Sequence, residues 1–375
     1  MNIIRNTISR ASAHYNFGMK MPLQHFHVTK VQCLYSPSAL GIDGYLQTRK
    51  KIKEQFAQFT DTFRAKMNDF VHDSKHMIFT EDLKNMVHMA EPTDLNLVLD
   101  MVKKFNTQKS EFRFGSFVFG PVVMRMFYFL DAPTEALKCF ENPDNAGFFD
   151  QLVSYQILLD LLYNHEMYDE MFKIFEKVQE RQLNMTKYPK YPVVLILAAC
   201  YKQNTPESYE YAKKLWKDMS AAGTSPLRRS CTFMSAMALR NNEPHIALEC
   251  ISLQTPHYVT IRNIKVIALC QVGRIDDALP ILRGVLDIDS PSRIDKHTFF
   301  SETIKAAQEA VKQKNDKDLE KTFENIEKAL RDRDLIDDQT LDKLVTSDII
   351  LSVKKHDKPR GMPKMPFGQR QRNLS

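Results

Sequence analysis

The sequence predicts an all-α protein, a right-handed α-solenoid of helix-turn-helix repeats with helical caps. Three observations predict it. Alanine-centred apolar stripes recur at intervals near 35 residues. Glycine is scarce, at 11 of 375 residues, which argues against a β-rich fold or a glycine-hinged nucleotide-binding fold. The hydrophobic fraction of 43% is that of a folded chain. The longest apolar run, Val193 to Cys200, falls far short of the roughly 20 residues that cross a bilayer, so no membrane insertion is expected.

The stripes justify the repeat. Five segments carry a key residue, Ala136, Met171, Ala212, Ala247 or Ala278, followed three and four places later by apolar partners. These partners are Cys139/Phe140, Ile174/Phe175, Leu215/Trp216, Cys250/Ile251 and Ile281/Leu282. That spacing puts all three side chains on one helical face. Alanine at four of the five key positions admits a close neighbour. The intervals between key residues are 35, 41, 35 and 31. A second stripe lies about one helix upstream, for example Val123, Met124, Phe127 and Tyr128, or Leu158, Leu159, Leu162 and Tyr163. In the long unit Asn204-Thr-Pro-Glu-Ser208 parts the two helices, with Pro206 suited to a first turn and Thr205 or Asn204 to a cap. A helix pair with two apolar stripes cannot bury both alone, so neighbours stack.

Outside the array, 43–72 reads as an amphipathic leading helix and 301–335 as one or two long charged helices, with a shorter helix near 341–353. Residues 1–42 hold Arg5, Arg10, Lys20 and Lys30 and no acid. The first 35 or so read as a mitochondrial transit peptide, against the plainer reading of a flexible basic terminus. Residues 354–375 mix lysine and arginine with proline and glycine and read as a disordered tail, either a solubilising terminus or a phosphate-binding arm.

Net charge is +6 overall, yet 43–352 carry −4, so a nucleic-acid surface must be local. Residues 187–274 hold twelve basic side chains against five acidic ones. Arg228, Arg229, Arg262 and Lys265 stand near the starts of first helices and are candidate phosphate contacts, against the reading of a solvated basic surface. Lys213, Lys214 and Lys217 lie on a second helix and read as solvated. The six cysteines are widely spaced, with no C-x-x-C pair, which fits free buried thiols in a reducing compartment. No zinc or other metal site and no cofactor are expected. Tyr155, Tyr191, Phe175 and Trp216 occur at repeat spacing and read as core knobs rather than stacking platforms. His165 lacks a second histidine four places on and is placed in a turn.

Two stretches resemble a known family. Leu152-Val-Ser-Tyr-Gln-Ile-Leu-Leu159 through Thr186, and Cys270-Gln-Val-Gly-Arg-Ile-Asp-Asp-Ala-Leu279, are similar to units of the pentatricopeptide repeat family. Phe114 to Pro121, Ala146-Gly-Phe-Phe149, Cys200 to Ser208 and Arg228-Arg-Ser-Cys231 extend the resemblance to members of that family in animal mitochondria, over roughly 77–285. The resemblance implies a mitochondrial matrix protein that binds RNA, an mRNA or precursor transcript, and acts in its maturation and thereby in respiratory-chain function. Other RNA-processing proteins are candidate partners. It also implies base-reading positions: the residue after the tyrosine position, here Gln156, Thr232 and Asn263 (with Pro192 and Pro121 in two other units), and the closing residue, Thr186. Irregular unit lengths break a one-repeat-one-base register, so no target sequence is read.

The expected organisation is a transit peptide at 1–35, an N-terminal helical cap at 36–76, and a pentatricopeptide-type array at 77–293. Its units are about 77–116, 117–151, 152–186, 187–227, 228–258 and 259–293. A C-terminal helical region follows at 294–353 and a basic tail at 354–375. The alternative function is a protein-binding α-solenoid scaffold in mitochondria, a ribosome-associated or complex-assembly factor. Catalysis is not expected: the pairs Asp276/Asp277, Asp287/Asp289 and Asp337/Asp338 lack a framework to gather metal, and no P-loop or G-x-S-x-G elbow is present.

Overall fold

In the computed structural model, residues 34–108, 117–252, 254, 258–287 and 297–350 are described. The tail reading, and the transit-peptide reading up to its last two residues, lie outside them. Helices follow one another in pairs: α1 (Ile42–Phe56) with α2 (Thr60–His72), α3 (Thr80–Met89) with α4 (Leu95–Thr107), and α5 (Gly120–Phe129) with α6 (Pro133–Glu141). Then come α7 (Leu152–Asn164) with α8 (Tyr168–Arg181), α9 (Lys190–Gln203) with α10 (Pro206–Ala221), and α11 (Arg228–Arg240) with α12 (Pro244–Ile251). The last pairs are α13 (Val259–Gln271) with α14 (Ile275–Gly284) and α15 (Ser301–Lys314) with α16 (Lys317–Asp332), before a short α17 (Leu341–Val345). The only strands among the described residues are two-residue β1 (Phe299–Phe300) and β2 (Ile336–Asp337), paired parallel. The protein is an all-α helical repeat.

Successive first helices pack against one another from α1 to α15; from α3 onward each also packs against its own second helix, and from α7 onward, α15 included, against the second helix before it. The pattern runs through α15 and α16 as well, so the repeat mode of packing continues beyond the alanine-centred units. The key residues Ala136, Met171, Ala212, Ala247 and Ala278 are all fully buried. The helix turns share one local solution. Asp131, Glu166, Asn204, Asn242, Gly273 and Asn315 each take a left-handed backbone just after a first helix. At Gly273 the missing Cβ makes this free of strain. The amide that follows four of these residues reaches back five positions, as from Ala132 to Phe127 O, Met167 to Leu162 O, Glu243 to Ala238 O and Arg274 to Leu269 O. Pro133, Pro206 and Pro244 then open second helices, where no backbone donor is missed. Thr205 caps α10 by accepting from Ser208 N at 3.1 Å.

The unequal intervals have structural causes. The 41-residue interval contains the eight-residue connection 182–189, and the 31-residue interval contains α12, only 8 residues long. The leading helix read at 43–72 is two helices, broken at 57–59. No glycine or proline marks the break, so the apolar period runs straight across it. Helix α17 stops at Val345, short of the expected 353.

Candidate nucleic-acid interface

The row of first helices α7, α9, α11 and α13 is where a groove-binding repeat protein would meet its ligand. Here that face is covered. Serine, cysteine and alanine positions admit close helix packing, and α9 is buried continuously from Pro192 to Tyr201. A helix apolar all round needs cover on every side. Two segments far apart in sequence supply part of it, residues 34–40 and 341–350.

They meet at a single parallel bridge, Tyr35 with Ile349. Ile349 N donates to Leu34 O at 2.7 Å and Ser36 N to Ile349 O at 3.2 Å. The first segment is anchored on α5 and α7. Arg125 Nε donates to Leu40 O at 2.8 Å, and Tyr35 N donates to Asp160 Oδ1 at 3.1 Å. Asp160 Oδ2 accepts from the Tyr128 hydroxyl at 2.9 Å, which itself accepts from Asn164 Nδ2 at 3.1 Å. Burial pushes the Asp160 carboxyl up to about 7, while these hydrogen bonds pull the other way. Tyr191 meets the Tyr35 ring edge-on and is otherwise exposed, so it is not the core knob expected. Tyr155 and Phe175 are core; Trp216 is half-buried against it.

The second segment is held by arginines. Arg229 Nη1 donates to Leu344 O at 3.1 Å and Val345 O at 3.0 Å. Its Nη2 donates to Ser347 O, to Ser347 Oγ at 3.0 Å and to Asp348 O at 3.4 Å. Burial lowers its pKa to about 10, which leaves it charged near neutrality. Arg240 stacks 3.8 Å over the Tyr201 ring and donates to Asp342 Oδ1 at 2.6 Å. The Tyr201 hydroxyl donates to the same oxygen at 2.8 Å. At the far end Leu341 N donates to Glu302 on α15.

The expected contacts distribute unevenly over this surface. Arg228 is exposed and stacks 3.9 Å over the Tyr258 ring. Lys265 and Thr186 are half-buried. Gln156 is buried on α7. Thr232 is buried and its hydroxyl donates to Arg228 O of its own helix at 2.9 Å. Asn263 has no exposed surface at all. Its Nδ2 donates to Val259 O at 2.8 Å and Thr298 O at 3.3 Å; its Oδ1 accepts from Phe300 N at 2.9 Å and Thr303 Oγ1 at 2.7 Å. These bonds tie α13 to the start of α15 and leave none of Asn263's surface open to solvent. Arg262 is also buried; its guanidinium lies 5.9 Å from the Phe299 ring centre, burial lowers its pKa, and Nη1 has no hydrogen-bond partner. The structure therefore gathers Arg228 and Arg229 at the start of α11, and turns Thr232, Arg262 and Asn263 inward. It also brings forward Tyr201 and Arg240, which lie at the other ends of their helices from the positions family logic weights. The unbroken apolar run Val193 to Cys200 was the available sign that something covers this face.

His165 ends α7, its Nε2 2.7 Å from Asp131 Oδ1. The five described cysteines are buried free thiols, raised by burial. Among the described residues no group of three or more His, Cys, Asp or Glu could hold a metal ion, and no helix is long and apolar enough to cross a membrane.

No protein-family model matches the chain. Among curated proteins it is similar to pentatricopeptide repeat-containing protein 2, mitochondrial, of mouse, 26% identical over 238 residues. It is similar also to the human protein of that name, 25% identical over 238 residues, and to the zebrafish one, 24% identical over 277 residues. The chain's curated relatives are mitochondrial pentatricopeptide repeat proteins. The matches cover 63% of this chain for mouse and human and 72% for zebrafish. They span 62%, 61% and 70% of the respective relatives, so the chain covers less than two thirds of the mouse and human proteins.

Proposed function

We propose that the chain is an RNA-binding repeat protein of the mitochondrial matrix, acting in the maturation of a mitochondrial mRNA or precursor transcript and thereby in respiratory-chain function. The observation that carries this reading is the set of donors on two neighbouring first helices, Arg228, Arg229 and Arg240 on α11 and Tyr201 on α9, on a chain whose curated relatives are mitochondrial pentatricopeptide repeat proteins. Guanidinium groups and a hydroxyl on adjacent helices suit a phosphate backbone. The stacked Arg228–Tyr258 pair offers a platform for an unpaired base. Recognition then rests on backbone and stacking contacts at Arg228, Arg229, Arg240 and Tyr201, with Lys265 and Thr186 as further half-exposed contacts, rather than on a base code, because Gln156, Thr232 and Asn263 face inward. The chain binds and does not catalyse.

Crosslinking and sequencing of RNA held by the tagged protein in mitochondria tests the reading, with enrichment of defined transcripts expected. In vitro, affinity for single-stranded RNA should fall steeply with salt, and Arg228→Ala should weaken it about five- to tenfold while lowering the salt slope by about one. One observation favours a second reading, a protein-binding scaffold with partners among assembly or ribosome-associated factors: the first-helix face already holds a stretch of polypeptide. Protein partners recovered without RNA, and no RNA binding at low salt, would favour it.

A further inference from the structure

The two segments that cover the first helices are not held alike. Leu34, Tyr35 and Leu40 of the first are buried, and Asp160 and Arg125 pin its backbone. Of the ten residues 341–350, only Val345 and Thr346 are buried; Ile350 is 76% exposed, and α17 has 5 residues. The second segment is gripped by hydrogen bonds more than by apolar burial.

Those hydrogen bonds have one chemical character. Every donor from α9 and α11 is a guanidinium or a tyrosine hydroxyl, and every acceptor on the segment is an oxygen: four backbone carbonyls and the Ser347 hydroxyl for Arg229, the Asp342 carboxylate for Arg240 and Tyr201. A phosphodiester presents the same thing, a run of oxygen acceptors with negative charge. The segment carries charge of the same sign: residues 336–350 hold Asp337, Asp338, Asp342 and Asp348 against Lys343 alone. It lies on the stretch of chain, 187–274, where basic residues are in excess. Nor does it fill its bed. A cavity of about 300 Å³ opens beside α17, lined by Tyr201, Arg240, Ile267, Leu341 and Asp342 among others.

We propose that residues 341–350 form a displaceable acidic strap that occupies the RNA groove in cis, and that single-stranded RNA binds by taking over the donors of Arg229, Arg240 and Tyr201 that the strap now holds. The proposal rests on the RNA reading above and adds its regulation. The first segment, 34–40, stays in place and the single bridge at Tyr35 opens. Binding is then a competition, and apparent affinity is reduced by the fraction of molecules in which the strap is seated.

The test uses the full chain and Asp342→Ala with Leu344→Ser, both at partly exposed positions, with an unchanged far-ultraviolet circular dichroism spectrum and kept protection of the α7 and α9 amides as the check on folding. A fluorescent 20-nucleotide single-stranded RNA is titrated at two salt concentrations. The double variant should bind about tenfold tighter, as expected when a competing state is removed. Adding Arg229→Ala to it should abolish that gain. In the unaltered chain, saturating RNA should speed hydrogen exchange at the amides of 341–350 while those of 34–40 keep their protection. RNA bound equally well by the chain and the variant, with exchange at 341–350 unchanged, overturns the strap while leaving the RNA reading intact. No binding by either protein at low salt overturns both. Displacement of the strap by a synthetic 336–350 peptide but not by RNA overturns the proposal and assigns the groove to a peptide.

Discussion

Asp160 sits at the centre of a run of leucines, fully buried, with its carboxyl raised from its ordinary 3.8 to about 7. Desolvation is the largest cause; Tyr128, the Tyr35 amide and Asn164 oppose it, and the Asp348 charge adds to it. A raised carboxyl contributes its full stability below the unfolded value, and that contribution is lost as pH rises through the folded one. At about 1.4 kcal/mol per unit, the loss between pH 4 and 7 is roughly 4 kcal/mol. Asp160→Asn keeps an acceptor for Tyr35 N and puts a donor against the Tyr128 hydroxyl. It should therefore flatten this slope and be the more stable protein at pH 7.5; parallel urea-midpoint profiles for the two would refute it. Asn263 makes the complementary case. Removing its side chain leaves Phe300 N and Thr303 Oγ1 buried without an acceptor. Asn263→Ala should cost about 2–4 kcal/mol in urea denaturation and leave RNA preference unaltered; a stable variant with changed base preference would restore the base-reading role. This is also the scale at which the sequence was least legible. Asn263 occupies the position the family weights, but whether an asparagine faces a groove or ties two helices together depends on Thr298, Phe300 and Thr303, some 35 to 40 residues on.

Second helices carry the most legible pattern in the chain, because one face meets the core and the other meets water. Ala136, Ala212, Ala247 and Ala278 were readable as contact points from spacing alone, and each is fully buried. First helices are harder, since burial on nearly all sides erases the period, as in α9. The α1–α2 break shows a third case, a turn made without glycine or proline that no local signal announces. The alanines are a test of how tightly the pairs are packed. Ser235 Oγ on α11 reaches Ala247 O on α12 at 3.2 Å, so the two backbones are close there. Ala247→Leu forces extra methylenes into that contact and should destabilise the chain by about 1–3 kcal/mol. The same change at exposed Ala222 should have little effect. Equal denaturation midpoints for the two variants would show that the α11–α12 contact is looser than the hydrogen bond implies.

A stack of helix pairs is close to one-dimensional, each pair touching mainly its neighbours, and such arrays tend to unfold piecewise. Here two segments tie distant pairs together. Tyr35 bonds to Asp160, 125 residues away; Arg229 bonds to Leu344 and Val345, 115 and 116 residues away; and the Tyr35–Ile349 bridge joins the two segments. Through them α5 and α7 are linked to α11 without passing through the intervening stack. The predicted consequence is cooperativity beyond that of neighbour contacts. Arg229→Ala removes a charged donor to several buried or half-buried carbonyls, at a cost of about 3 kcal/mol by the usual worth of charge-assisted hydrogen bonds. More telling than the midpoint is the shape of the transition. With the linkage intact, urea unfolding followed by circular dichroism and by hydrogen exchange in α7 and in α13 should coincide. In Arg229→Ala the two helices should lose protection at separate urea concentrations, and the apparent slope should fall, because less surface is exposed in each step. A single transition with an unchanged slope in the variant would mean that neighbour contacts alone hold the array together, and that the segments lie on the first helices without coupling them.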